Sequence, residues 1–226
     1  MIEETRKTLA LSLVKEVGEY LLDHFQKVRE GVLKADGSMV SVVDRGAEEM
    51  IISKISNTFP NDGILSEEQK EIKKQGEYRW IIDPLDGTHN FLSGLPLFGT
   101  ILALTHKEEV VLGMCGFPIF GELLIAERGG GAMRNGVPIH VSESSALQGE
   151  FFLSDGNMRR AKDTVLQDIA RLGAKGCRIR ILGNAAMSMT RIACRGGLIA
   201  TNRAVNPWDV AAPCLIVEEA GGRVTD

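Results

Sequence analysis

The chain has 226 residues, 44% of them hydrophobic and 25% charged, a length and balance that describe a globular catalytic domain and exclude a fibrous or disordered chain. Its formal net charge of −4 excludes a broad basic surface for nucleic acid or anionic membrane, so an anionic substrate needs a local cation. Charges interrupt the apolar residues at the amino terminus, so no signal peptide is expected, and no run approaches the ~18 apolar residues of a membrane span; the protein is expected to be cytoplasmic, with Cys115, Cys177, Cys194 and Cys214 as reduced thiols.

Residues 3–28 place Leu9, Leu13, Val17, Leu21 and Phe25 four apart, with Val14 and Val28 widening the stripe, and predict an amphipathic helix. A polar, glycine-containing loop follows at 34–38. A second helix is predicted over 44–59, carrying Ala47, Met50, Ile51 and Ile55 inward and ended by Pro60-Asn61-Asp62-Gly63. Arg79 to Asp83 reads as a short buried strand stopped by Pro84. Strands near 99–105, 109–116 and 122–126 come next. Gly129-Gly130-Gly131 lacks the spacing of a dinucleotide fingerprint and reads as a turn, and Asn135-Gly136 as a tight turn. From 150 onward, strands at 150–154, 177–182 and 197–201 alternate with helices at 159–172, 184–195 and 208–220, which predicts an α/β fold.

The chemistry concentrates in Asp83-Pro84-Leu85-Asp86-Gly87-Thr88-His89-Asn90-Phe91. A hydrophobic strand delivers Asp83 to its carboxyl end, where ligand sites collect in α/β proteins. The turn at Pro84 lets Asp83 and Asp86 converge. Gly87 permits close backbone approach, and the following residues can start a helix whose N–H groups face an anion. Two carboxylates this close repel each other unless a proton or a cation intervenes. A proline turn with a capping Asp accounts for either Asp alone, but poorly for the whole nonapeptide.

Three motifs in order resemble the inositol monophosphatase superfamily, which also contains fructose-1,6-bisphosphatases, histidinol phosphatases and nucleotide 3′-phosphatases. Ser66-Glu67-Glu68 is similar to its acidic pair, and Asp83 to Phe91 to its D-P-x-D-G-T-x-N-F signature. Asn206 to Ala212, leading into Glu219-Ala220-Gly221-Gly222, resembles its W-D-x-A…E-A-G-G segment, and Val43-Asp44-Arg45 with Glu48 is a weaker match. The resemblance implies a layered αβαβα sandwich, with 1–226 a single catalytic domain of subdomains 1–146 and 147–226, and a homodimer. It implies Mg²⁺-dependent hydrolysis of a small phosphate monoester. Glu67, Asp83, the Leu85 carbonyl, Asp86 and Asp209 would hold two or three Mg²⁺ ions, an all-oxygen set that suits Mg²⁺ over Zn²⁺. Two such ions about 4 Å apart can clamp the attacking and leaving oxygens.

Thr88 and Asp44 match residues that orient the attacking water, and Asp86, Gly87, Thr88, Gly183, Asn184 and Ala185 match the family's substrate contacts. Asn202, followed by Arg203, stands where inositol-preferring members carry a Glu that touches sugar hydroxyls, and this pair is expected to accept a different or more anionic alcohol. Plainer roles exist for each group: helix caps for Asp44 and Asp209, a solvated pair for Glu67 and Glu68, core packing for Trp208, an exposed loop for His89. Residues 34–38 and 95–100 resemble the histidinol-phosphatase branch. Inositol-1-phosphate or a related sugar or polyol phosphate is therefore the first expected substrate and histidinol phosphate the alternative. A bisphosphatase or 3′-nucleotide phosphatase ranks below these. A non-catalytic homologue that binds protein or RNA is disfavoured by the complete polar set and by the absence of a basic patch. The resemblance also implies a further strand and helix after Gly222, so a chain ending at Asp226 is expected to be shortened.

Overall fold

In the computed structural model, residues 4–35, 37–156 and 158–225 are described, the side chains of Met158 and Arg159 excepted. Helix α1 (Glu4–His24) buries Ala10, Leu13, Val14, Val17 and Leu21. It stops before the predicted 28 because Gln26 takes φ 65, and Phe25 turns inward against Phe91 and Phe98. Strands β1 (Val32–Leu33) and β2 (Met39–Val40) flank the predicted loop as a short antiparallel pair; Asp36 of that loop lies outside the described residues. Helix α2 (Val42–Thr58) starts two residues earlier than predicted, because Ser41 is its N-cap. It buries Val43, Ala47, Glu48, Ile51 and Ile55, whereas Met50, expected inside, is only half-buried.

The middle of the chain builds a sheet from β3 (Gly63–Ser66), β4 (Tyr78–Asp86), β5 (Gly99–His106), β6 (Glu109–Phe117), β7 (Glu122–Glu127), β8 (Gly131–Arg134) and β9 (Val137–Pro138), in that spatial order, with helix α3 (Thr88–Ser93) after β4. Strands β3 and β4 are parallel and the other pairs antiparallel. Pro84 does not stop its strand. β4 continues to Asp86 with a register slip between Asp83 and Asp86, and the Pro84 carbonyl accepts the Thr100 hydroxyl at 3.1 Å. A bulge tolerates the missing proline N–H and re-aims the side chains on either side of it.

The last third alternates β10 (Phe151–Gly156), α4 (Met158–Gly173), β11 (Arg178–Arg180), α5 (Ala185–Ala193), β12 (Ile199–Arg203) and α6 (Pro207–Glu219). Its three strands are parallel in the order β11-β10-β12. Right-handed crossovers running first one way and then back place α4 and α5 on opposite faces. Helices α1 and α2 pack on one face of the large sheet and α6 on the other; α6 meets α5, which lies on the small sheet, and α4 closes the far side. The layers are αβαβα, as expected. Cys115 is buried and the other three cysteines are half-buried. No described helix is long and apolar enough to cross a membrane.

The seat of α6 depends on one glycine. A Cβ on Gly113 of β6 would lie 2.8 Å from the Ala212 carbonyl oxygen and 2.9 Å from its Cα, so the helix backbone rests directly on the strand. Gly113→Ala is expected to lift α6 and to cost about 1–3 kcal/mol through overpacking, read as a lower urea midpoint at unchanged slope. An unchanged midpoint would contradict this account of how α6 is held.

Candidate active site

Two capping boxes supply two of the carboxylates. At the start of α2, Asp44 Oδ2 accepts from the Ser41 amide at 2.8 Å and the Ser41 hydroxyl at 2.5 Å. Its other oxygen, Oδ1, accepts the Thr88 hydroxyl at 2.7 Å. Asp44 is thus a helix-cap partner and a partner of Thr88 at once. Thr88 Oγ1 also lies 3.0 Å from the Leu85 carbonyl oxygen, so its single proton chooses between two acceptors, the ionic one being closer. Asp209 repeats the pattern on α6, accepting the Asn206 amide on Oδ2 at 2.7 Å.

The β4 bulge supplies the other two aspartates. Asp83 is 2% exposed and its Oδ1 accepts the Leu85 amide at 3.0 Å. Burial, then the charges of Glu67, Asp86, Asp209 and Asp44, hold Asp83 well above the usual carboxylate range. Burial likewise pushes Asp86 well up, with Asp209 and Asp155 adding to it and the Ala186 amide working against it. Gly87 makes the turn into α3: its φ is 88, and a Cβ there would stand 2.7 Å from the Leu97 carbonyl oxygen. His89 is exposed, on α3 rather than in a loop.

Glu67, Asp86 and Asp209 line one cavity of about 240 Å³ together with Gly183, Asn184 and Ala185. Asp83, Leu85, Thr88 and Asp44 are buried and joined by the hydrogen bonds just given. The α5 turn differs from expectation in what its amides do. Gly183 donates to Asp155 Oδ1 at 2.7 Å and Ala186 to Asp86 Oδ2 at 2.9 Å. Asn184 caps α5 through the Met187 amide at 2.6 Å and donates its side-chain N–H to the Asp86 carbonyl at 2.9 Å. These groups hold the carboxylates in place.

Arg203 does not line the cavity: its Nε and Nη2 both reach Asp168 Oδ2 on α4, at 2.9 and 2.8 Å. Asn202 is also absent from the lining, with its Oδ1 buried and without a hydrogen-bond partner among the described residues. Ala204, Val205, Asp155 and Arg160 occupy the wall instead, and none of them was singled out from sequence. An Asp at the carboxyl end of a predicted strand, as at Asp155, is the one signal that pointed there. Asp155 is 5% exposed, and burial raises it to about 6 against the opposing bonds from Ser188 and from the Gly183, Leu182 and Asn184 amides.

Among the described residues no three acidic, imidazole or thiol side chains stand close enough to ligate one ion. The cation at hand is Lys34, whose Nζ lies 2.7 Å from Glu67 Oε1 and also bonds Glu68. Burial raises Glu67, with Lys34 opposing, and raises Glu68 to about 7. Buried oxygen donors of like charge, without His or Cys, fit a hard divalent cation such as Mg²⁺.

A pH dependence follows from these shifts. A carboxyl whose folded pKa lies above its unfolded value contributes stability that is full below the unfolded value and is lost as pH rises through the folded one. For Asp155 the span runs from 3.8 to about 6 and for Glu68 from 4.5 to about 7. In EDTA the melting temperature is therefore expected to fall as pH rises from about 4 to about 8, and millimolar Mg²⁺ to restore most of the loss. A pH-independent melting temperature in EDTA, or one unmoved by Mg²⁺, would contradict the electrostatics of this site.

Residues 3–226 match the model of the inositol monophosphatase family. The chain is 41% identical over 224 residues to a Thermotoga maritima protein named fructose-1,6-bisphosphatase/inositol-1-monophosphatase, covering 98% of this chain and 84% of that one. It is 39% identical over 223 residues to a histidinol-phosphatase of Chlorobaculum parvum, covering 95% and 83%. Among solved structures, the extragenic suppressor protein suhB of Bartonella henselae superposes with a TM-score of 0.94 at 33% identity, over 98% of this chain and 87% of that one.

Proposed function

This chain belongs to the inositol monophosphatase family and is a phosphatase of phosphate monoesters, and on that premise we propose that it is a Mg²⁺-dependent enzyme acting on a small sugar or polyol phosphate such as inositol-1-phosphate. The observation that carries the reading is the gathering of Glu67, Asp86 and Asp209 from three separate parts of the chain on one cavity, with Asp83 buried beside them; burial, then the neighbouring carboxylates, hold Asp83 and Asp86 well above the usual carboxylate range. Glu67, Asp83, the Leu85 carbonyl, Asp86 and Asp209 are the proposed ligands. Bound Mg²⁺ would offset their charge, lower the pKa of water and stabilise charge on the phosphoryl oxygens.

The protein's own groups handle the proton. The Thr88 hydroxyl gives its hydrogen to Asp44 Oδ1, which leaves its oxygen lone pairs to accept one from the attacking water. As the water attacks phosphorus, its proton passes to Thr88 Oγ1 and the Thr88 proton to Asp44, while the P–O bond to the alcohol breaks and the departing oxygen takes a proton from solvent. Asp44 is held for this by its bonds to Ser41. Asn184 and the Ala186 amide fix Asp86, so the acidic wall is set before substrate arrives.

The test is phosphate release from inositol-1-phosphate, histidinol phosphate, fructose-1,6-bisphosphate and 3′-phosphoadenosine 5′-phosphate, each with Mg²⁺ and with EDTA. Metal-dependent release from the sugar or polyol phosphates is expected. Exclusive hydrolysis of histidinol phosphate would move the substrate to that branch, to which the Chlorobaculum parvum relative is named.

A further inference from the structure

We infer that Arg160 is a specificity-determining residue of this site and that it binds a second phosphate on the alcohol part of the substrate; the inference rests on the phosphatase reading and narrows it. Sequence spacing drew attention to Arg203 for such a role, but both of its described bonds go to Asp168. Its place on the cavity wall is taken by the neighbours that follow it in the chain, Ala204 and Val205. The guanidinium that does line the cavity is Arg160, the only basic residue among the described residues of that wall.

Two features of the fold put it there. Strand β10 ends at Gly156, so the chain that follows starts at the carboxyl edge of a parallel sheet, beside the cavity. Ala161 then departs from helical geometry with φ −132 and ψ 25, which sets the turn containing Arg160 apart from the rest of α4. Arg160 is exposed, at the rim rather than at the buried carboxylates. Bond cleavage is already accounted for by Thr88, Asp44 and the acidic ligands, so a permanent positive charge on the same wall has no task in that chemistry. It suits a dianion carried elsewhere on the substrate, because a guanidinium grips phosphate through parallel N–H bonds. A substrate whose alcohol bears an amine would be repelled by Arg160.

The experiment compares kcat/KM for fructose-1,6-bisphosphate with kcat/KM for inositol-1-phosphate in the wild type, Arg160→Gln, Arg160→Lys and, as a control on the same helix, Arg171→Gln. The bisphosphate-to-monophosphate ratio is expected to fall about tenfold to a hundredfold in Arg160→Gln, the worth of one hydrogen-bonded charge contact, and chiefly through KM for the bisphosphate. Arg160→Lys should recover part of the ratio, and Arg171→Gln should leave it unchanged. An unchanged ratio in Arg160→Gln, or a loss shared equally by both substrates, overturns the inference. So does a wild type that releases phosphate from inositol-1-phosphate and not from the bisphosphate, an outcome that leaves the phosphatase reading standing. Release from no substrate in the panel removes both.

Discussion

Asp83→Asn is expected to abolish Mg²⁺-dependent phosphate release while the protein stays folded. The amide is nearly isosteric with the carboxylate and keeps an oxygen to accept the Leu85 amide that now lies 3.0 Å from Asp83 Oδ1. The bulge between Asp83 and Asp86 therefore has no reason to change. What disappears is a buried negative charge surrounded by Glu67, Asp86, Asp209 and Asp44. In the metal-free protein that loss relieves repulsion, so the variant should melt no lower than wild type in EDTA, and higher toward alkaline pH. With Mg²⁺ the order should reverse, since the wild type gains by mass action and the variant lacks the ligand that binds the gain to folding. Turnover should drop by about 10³-fold or more, several kcal/mol of lost transition-state charge stabilisation. Near-wild-type turnover in a folded Asp83→Asn protein would remove Asp83 from the proposed metal site. A variant that fails to fold would instead mark the residue as structural, and Asp86→Asn would then carry the test.

The parts of this site that were legible in the sequence are the local ones. Asp83, Asp86, Gly87 and Thr88 sit in one nonapeptide, and a buried strand feeding a tight turn is enough to bring them together. Helix caps were read at Asp44 and Asp209 themselves, whereas the N-caps are Ser41 and Asn206, three residues before each; a cap and a chemical role were weighed as alternatives, although the two oxygens of Asp44 serve both. Pro84 misled because a proline ends a regular strand but is accommodated in a bulge, and the bulge depends on a hydroxyl from Thr100 on the neighbouring strand. The bonds made by the amides of the α5 turn were not legible for a similar reason. Whether a free N–H faces substrate depends on whether a carboxylate already holds it, and Asp155 and Asp86 are 28 and 100 residues away from the donors they accept.

Arg203 and Arg160 show the limit most clearly. Alternation along a short edge strand does not say which face meets the cavity, and the answer rests on Asp168, 35 residues from Arg203. Arg160 reads from sequence as one more charge in a solvated helix, and only the non-helical Ala161 and the sheet edge beneath it make it part of the wall. The αβαβα layering was easier, because alternating strand and helix patterns and right-handed crossovers leave few ways to cover both sheets.

Thr88→Ala and Asp44→Asn are expected to lower turnover by similar factors, on the order of 10² or more, and the double variant by little beyond either single one. The reason is the bond between them. If the water's proton reaches Asp44 only through the Thr88 hydroxyl, removing either group breaks the same path, and losses from groups that act as a unit do not add. Neither group is among the proposed carboxylate ligands, so Mg²⁺ should still raise the melting temperature of Thr88→Ala, which separates a loss of proton handling from a loss of metal. Thr88→Ser keeps a hydroxyl on the same carbon, with a donor for Asp44 and lone pairs for water, and should retain more activity than Thr88→Ala. Asp44→Asn adds a stability effect of its own, because the amide must still accept the Ser41 donors at the start of α2; about 0.5–2 kcal/mol is the range for a weakened cap. That cost is read in the melting curve and is independent of the rate. Multiplicative losses in the double variant would mean that Thr88 and Asp44 act through separate steps, and Asp44 would then be a helix cap that happens to accept a neighbour's hydroxyl.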